Sequence, residues 1–78
     1  MKEVILEPLA NGMEEATINC WYFEEGDLVE EGADLAEMIS EEGTFKIIAP
    51  VSGVLGEVYF NQGETVDVGE VLCEIEKE

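Results

Sequence analysis

The sequence predicts an all-β fold, a sandwich or barrel built from short strands. Its apolar residues come in short alternating runs, and no segment keeps the 3.6-residue period of a helix. Seven of the eight glycines separate these runs, so a turn recurs every several residues, as in sandwiches and barrels. The runs predicted as strands are Val4–Leu6, Thr17–Ile18, Trp21–Phe23, Leu35–Ile39, Phe45–Ile48, Val54–Phe60 and Val71–Ile75.

The chain also contains an internal repeat. Residues 21–39 align with residues 58–76 at a constant offset of 37, without a gap, and seven of the nineteen positions are identical. The identical pairs are Tyr22/Tyr59, Phe23/Phe60, Gly26/Gly63, Val29/Val66, Gly32/Gly69, Leu35/Leu72 and Glu37/Glu74. Upstream, residues 4–8 align with residues 46–50 at an offset of 42, which leaves about five extra residues in the first half, around Leu9 to Glu14.

The repeat predicts how the chain is organised. A half of fewer than forty residues is too small to bury a core alone. We therefore expect the half-repeats, about 3–40 and 44–77, to interlock as a pseudo-two-fold pair of sheets with four short strands from each half. Together they would form one domain over residues 1–78.

The two halves are predicted to join at a tight hairpin of Ser40, Glu41, Glu42 and Gly43. Glycine at position 43 supplies the positive φ that closes such a turn. The alternation of the following strand places Lys46 on the outside. By the same reasoning Phe45, Ile47, Trp21 and Phe23 face inward, and Tyr22 faces outward.

The two cysteines are predicted to remain free thiols. They are 53 positions apart, and strand alternation places Cys20 on an outer face and Cys73, with Ile75, on an inner face. Side chains on opposite faces do not have the geometry of a disulfide.

Composition excludes several classes of function. Twenty Asp and Glu stand against three Lys, with no Arg and no His, and the formal net charge is −17. A hydrophobic fraction of 46% still favours a folded domain over a disordered acidic tail. The chain has no cationic surface for nucleic acid or for an anionic membrane. Without a signal sequence or a spanning apolar run, we expect a cytoplasmic location.

The residue types also argue against an enzyme. The chain has no imidazole base and no clustered zinc ligands. Its acidic pairs, such as Glu24–Glu25 and Glu30–Glu31, lie beside turns and are interpreted as solvated surface rather than as an acid–base or calcium site. We therefore expect no catalysis and no metal, and a protein partner that offers a basic patch and binds less tightly in salt.

Several ordered motifs resemble the biotinyl/lipoyl attachment domains, and more closely the lipoyl domains of 2-oxo acid dehydrogenase acyltransferases. The resemblance covers essentially the whole chain. It implies a flattened eight-strand barrel of two four-stranded sheets. The segments that carry it are Leu9–Ile18, Trp21–Gly32, Leu35–Glu37, Ala49–Val54, Gly63–Val66 and Gly69–Leu72.

The resemblance also implies an attachment position, which this sequence does not fill with lysine. In the family, a lysine at the apex of the central hairpin carries lipoate or biotin through an amide. It stands eight residues before the proline of a Pro-Val-Ser-Gly motif, and counting back from Pro50 gives Glu42. The lipoyl motif Thr-Asp-Lys-Ala-Thr is here Ser-Glu-Glu-Gly-Thr over residues 40–44. A carboxylate cannot form the amide, so no cofactor is expected on this chain.

The biotin resemblance is the weaker one. Biotin sites in the family usually place methionines on both sides of the lysine, whereas here Glu41 and Gly43 flank the position. Glu41 instead matches the aspartate of the lipoyl motif. Lipoate is therefore the cofactor that the resemblance favours, with biotin less so.

Three interpretations follow. The leading one is a non-catalytic docking or regulatory module for lipoate-dependent acyl-transfer complexes, with a 2-oxo acid dehydrogenase component or a lipoate ligase as partner. The alternative is a genuine lipoyl, less plausibly biotinyl, carrier modified at Lys46 or with Glu42 replacing a natural lysine; Lys46 lies four residues beyond the apex and would need another hairpin register. A third, a sandwich interrupted at the hairpin by an inserted domain, is disfavoured by the short turn.

Overall fold

The computed structural model describes residues 1–8 and 12–77, and these residues form eight strands and no helix. The all-β prediction is confirmed. In chain order the strands are β1 Lys2–Ile5, β2 Glu15–Trp21, β3 Leu28–Val29, β4 Asp34–Ser40, β5 Gly43–Ile48, β6 Gly53–Val58, β7 Thr65–Asp67 and β8 Val71–Lys77.

The strands form two four-stranded antiparallel sheets. Their orders are β1-β8-β6-β3 and β5-β4-β2-β7, so each sheet takes two strands from each half of the chain. Exchanging β1 with β5, β2 with β6, β3 with β7 and β4 with β8 converts one order into the other. The molecule is a flattened barrel-sandwich with extents of 35 × 21 × 17 Å.

Backbone hydrogen bonds recur at the repeat offset. The Gly26 N–H donates to the carbonyl of Leu55, and the Gly63 N–H donates to the carbonyl of Ile18, both at 2.8 Å. Donors and acceptors are both 37 positions apart. Each of these glycines has a positive φ, 97° and 89°, so the same turn is built twice with the residue type that this conformation favours.

The upstream offset of 42 is wrong, because the ladders give 43. Val4 pairs with Cys73, and Ile47 pairs with Ala36. Since Ala36 and Cys73 are 37 positions apart, Val4 is the equivalent of Ile47. The alignment of residues 4–8 with residues 46–50 matches Pro8 to Pro50, and both prolines lie beyond the ends of β1 and β5, where no strand pairing defines the register. The first half therefore carries six extra residues between these matched segments rather than about five.

Some predicted strand limits also change. Trp21 is the last residue of β2, and Tyr22 and Phe23 lie in the bend that follows instead of in a strand of their own. Likewise, β6 ends at Val58 rather than at Phe60. The predicted runs omit β3 and β7, which have two and three residues and are too short to show an alternating pattern.

The core lies between the two sheets and consists of their inward-facing side chains. No polar or charged side chain is buried among the described residues, so every described carboxylate is at the surface. Trp21, Phe23 and Phe45 pack partly buried against this core, in agreement with their predicted inward direction. The buried residues are Val4, Leu6, Met13, Ala16, Ile18, Val29, Leu35, Ala36, Met38, Ile47, Ala49, Leu55, Val66, Leu72, Cys73 and Ile75.

Part of the acidity has a local structural role in the turns. The Asp27 carboxylate accepts a hydrogen bond from the Glu24 N–H at 2.8 Å, and the Glu64 carboxylate accepts one from the Asn61 N–H at 2.6 Å. The two turns are equivalent in the repeat. A side-chain oxygen that satisfies a free backbone N–H favours the turn conformation.

Both cysteines are free, as predicted. Cys20 is half-buried, and Cys73 is fully buried in the core. Burial raises the pKa of the Cys73 thiol to about 12, with a smaller contribution from the charge of Glu74.

Gly53 has no space for a side chain. It begins β6, and a Cβ at this position would overlap the main-chain carbonyl of Glu76 on β8. We predict that Gly53→Ala lowers the free energy of unfolding by about 3 kcal/mol, measured by urea denaturation. Gly26→Ala is the control, because its Cβ meets nothing within 4 Å and only its positive φ costs about 1 kcal/mol. Equal losses for the two variants would contradict the close packing of β6 on β8.

The buried thiol predicts a loss of stability at alkaline pH. Between the ordinary thiol pKa of 9.0 and the native value of about 12, the unfolded chain releases the Cys73 proton and the folded chain keeps it. The unfolded state then binds fewer protons, so this group's stabilisation falls by about 1.4 kcal/mol per pH unit as pH rises. Urea denaturation at pH 9, 10 and 11 should show a fall in stability that is steeper by this amount in the wild type and in Cys20→Ala than in Cys73→Ala, because the raised pKa of Tyr59 leaves a smaller slope in every variant. Parallel profiles for all three proteins would refute the prediction.

Candidate functional site

The hairpin between β4 and β5 has a two-residue tip. Ser40 pairs with Gly43, which leaves Glu41 and Glu42 at the end of the turn, both exposed. The turn is not of type I′ or II′, because those types need a positive φ at the tip and no non-glycine residue in the described part of the chain has one. The positive φ, 120°, falls instead on Gly43, immediately after the tip. This residue closes the hairpin as its sequence predicts.

The Ser40 side chain forms hydrogen bonds with the backbone of the turn. Its Oγ accepts a hydrogen bond from the Glu42 N–H at 3.2 Å and lies 3.3 Å from the Gly43 carbonyl, to which it can donate. The Glu42 carboxylate lies 3.5 Å from the same Oγ. A serine that bonds to the backbone two residues on is a common turn-stabilising element. The Glu42 side chain is therefore presented on an ordered turn.

A groove of about 470 Å³ lies beside the tip. Its walls are the hairpin end, residues 39–42, and residues 12–17, which include the start of β2. Four carboxylates line it, from Glu14, Glu15, Glu41 and Glu42, and no lysine does. The groove is therefore strongly anionic, and it suits a cationic group of a partner.

Lys46 lies away from the tip, on the outer face of β5. It stands opposite Glu37 on β4, and its Nζ is 3.5 Å from Asp34 Oδ2. It also lies over the Tyr22 ring, 5.5 Å from the centroid. Tyr22 first, and Asp34 next, raise the pKa of the Lys46 ammonium. Its neighbours therefore stabilise the charged form of Lys46, whereas acylation requires the neutral amine.

Attachment of lipoate or biotin needs an amine, and the tip does not supply one. The side chains at residues 40–43 are a hydroxyl, two carboxylates and a glycine hydrogen. These residues therefore do not fit either group. Within residues 1–8 and 12–77 there is also no set of three or more His, Cys, Asp or Glu arranged to hold a metal ion. No helix of this described part is long and apolar enough to cross a bilayer.

The structure joins Ser40, Glu41, Glu42 and Gly43 in one hairpin and leaves Lys46 outside it. Sequence reasoning missed the second wall of the groove, residues 12–17. Its signal was the insertion that distinguishes the first half from the second. Leu9, Ala10 and Asn11, which belong to that insertion, lie outside the described residues.

Comparison with known proteins agrees with this architecture. The lipoyl domain of the 2-oxoglutarate dehydrogenase complex from Azotobacter vinelandii, solved in solution, superimposes with a TM-score of 0.81 at 19% identity. The match covers 99% of this chain and 98% of that domain. At this identity the likeness shows the fold: two four-stranded sheets in a flattened barrel.

Sequence comparison identifies the family. The profile described as "Biotin-requiring enzyme" (Biotin_lipoyl) matches residues 3–75. The dihydrolipoyllysine-residue succinyltransferase component of the 2-oxoglutarate dehydrogenase complex of Bacillus subtilis (strain 168) is 39% identical over 72 residues, 92% of this chain and 17% of that protein. The mitochondrial lipoamide acyltransferase component of the branched-chain alpha-keto acid dehydrogenase complex of Bos taurus is 33% identical over 73 residues, 94% of this chain.

The chain spans only a small part of these relatives, 17% of the bacterial protein and 15% of the bovine one. The match to each relative covers one domain of it. The chain belongs to the biotin and lipoyl attachment domain family, among the lipoyl domains of 2-oxo acid dehydrogenase acyltransferases.

Proposed function

We propose that this chain is a lipoyl-type domain without an attachment lysine, and that it acts as a non-catalytic docking or regulatory module in lipoate-dependent acyl transfer. The observation that carries the proposal is the carboxylate of Glu42 at the exposed tip of the hairpin. In the family motif that this segment resembles, the residue at the tip is the modified lysine. The sequence around the tip keeps the motif's other features, including a polar residue at Ser40, an acidic residue at Glu41 and a small residue at Gly43.

The proposed partner is a protein with a basic patch, either a 2-oxo acid dehydrogenase component or a lipoate ligase. Two features support this choice. The net charge is −17, and the groove beside the tip has four carboxylates and no lysine. Both named relatives are components of 2-oxo acid dehydrogenase complexes, and enzymes that handle lipoyl domains must bind this fold.

A second candidate function is a true swinging-arm carrier. It would hold lipoate, or less plausibly biotin, on Lys46, or Glu42 would replace a lysine of the natural chain. The observation in its favour is that the Lys46 side chain is 47% exposed. Against it, Lys46 lies four residues past the tip, about 13 Å along an extended strand, and is held by Asp34 and Tyr22.

Restoring the lysine should restore modification. We predict that Glu42→Lys, co-expressed with a lipoate ligase, gains the mass of one lipoyl unit, because its tip presents an amine at the position that the family uses. Glu41→Lys is the matched control, with the same charge change one residue earlier, and it should gain little or none. Intact-mass spectrometry measures both. A folded Glu42→Lys that stays unmodified would show that the tip has been assigned to the wrong residue.

Docking should depend on the acidic groove. We predict that the domain binds a purified 2-oxo acid dehydrogenase component or lipoate ligase, and that raising the salt from 50 to 300 mM weakens binding about tenfold. The double variant Glu41→Gln/Glu42→Gln should bind less tightly than the control Glu30→Gln/Glu31→Gln, which removes two charges from another exposed turn. Isothermal titration calorimetry measures these affinities. No binding to either class of protein at 50 mM salt would overturn the docking proposal.

A further inference from the structure

The outer faces of the two sheets differ at one equivalent cross-strand pair. On β5 and β4, Lys46 stands opposite Glu37. On β1 and β8, Glu3 stands opposite Glu74. Glu37 and Glu74 are 37 positions apart, and Glu3 and Lys46 are 43 apart, the offset that the ladders give for these strands. The same place in the repeat therefore has opposite charges in one sheet and like charges in the other.

In the sheet that contains Lys46, the cation at this repeat position is the Lys46 ammonium. The ammonium lies 5.5 Å from the centroid of the Tyr22 ring and 3.5 Å from a carboxylate oxygen of Asp34. A cation over a tyrosine face is attracted by the ring's electron density, and neighbouring carboxylates add to the attraction. This copy of the repeat shows that the arrangement of a tyrosine and carboxylates on an outer face accommodates an ammonium group.

In the other sheet, the equivalent tyrosine is Tyr59, which is 42% exposed. The pKa of its hydroxyl is raised, first by partial burial and then by a hydrogen bond to Glu74, with further contributions from the charges of Glu57 and Glu3. Three carboxylates therefore act on this ring. Among residues 1–8 and 12–77, the one ion pair is that of Lys46 with Asp34, so no lysine in this part of the chain pairs with them.

The arrangement around Tyr59 costs stability. Like charges directly opposite on neighbouring antiparallel strands are destabilising, and Glu3 and Glu74 are such a pair. A depression of about 440 Å³ adjoins them, between Tyr59, Glu3 and Glu70. Shape, aromatic surface and charge all suit a positively charged side chain.

We infer that Tyr59, with Glu3, Glu57 and Glu74, receives a lysine or arginine side chain of a protein partner, in the place that Lys46 occupies over Tyr22. We call these four residues the Tyr59 site. It lies on the sheet opposite to the hairpin sheet, so it is separate from the acidic groove. The inference rests on the proposed docking of a partner with a basic patch, and it adds a second point of contact of defined chemistry.

The test uses a penta-lysine peptide as probe and the ¹⁵N-labelled domain, followed by NMR titration. Saturable shifts are expected at the amides of Glu3, Tyr59 and Glu74. Glu3→Lys places the chain's own cation there, as Lys46 does in the other sheet. It should weaken binding measured at those amides at least about fivefold. Tyr59→Leu keeps the charges, removes the ring, and should weaken binding about threefold.

The control is Glu31→Lys, which makes the same change in charge on an exposed turn and should weaken binding less than about twofold. Equal losses for Glu3→Lys and Glu31→Lys would overturn the inference, because binding would then follow net charge alone. Shifts confined to Glu41 and Glu42 would also overturn it. That second result would leave the proposed docking through the hairpin intact, since binding to a dehydrogenase component or ligase is measured independently.

Discussion

The packing of two sheets that exchange strands is the constraint on which the rest of the structure depends. Each sheet contains strands from both halves of the chain, so neither sheet is complete without both halves. Each of the eight strands contributes at least one of the sixteen buried core side chains, and none of the sixteen is charged. The two halves therefore bury one shared apolar core, and each half alone is too short to bury a core that would make it stable.

The composition of this core determines where the charged side chains lie. With no charged side chain buried, the carboxylates of the described residues lie on turns and outer faces, where some of them accept hydrogen bonds from turn backbone. The same core holds the hairpin strands β4 and β5 at the register that exposes Glu41 and Glu42. The repeat then makes differences between its copies informative, because Lys46 and Glu3 occupy equivalent places and have opposite charge.

Much of the fold was predictable because its signals are local. Alternating apolar runs and regular glycines indicate short strands, and Gly43 marks the hairpin. The strands β3 and β7 were not predictable from alternation, since two or three residues contain almost no period. The offset error arose because the alignment matched Pro8 to Pro50, which lie beyond the ends of β1 and β5, whereas the register is defined by strand pairing.

The candidate site also has one feature that was predictable from the sequence and one that was not. The family resemblance assigned Glu42 by its spacing from Pro50, and Glu42 lies at the exposed tip of the hairpin. The pairing of Glu3 with Glu74 was not predictable, because the two residues are 71 positions apart and only the β1–β8 ladder brings them together. Local spacing thus identifies the tip, while the surface that distinguishes the two sheets depends on long-range pairing.

The most direct test of the central claim is the intact mass of the wild-type chain after co-expression with a lipoate ligase and supplied lipoate. We predict the mass of the unmodified polypeptide, because Glu42 offers no amine and Lys46 is held on a strand by Asp34 and Tyr22. A gain of one lipoyl unit by the wild-type chain would contradict this prediction and would establish a carrier.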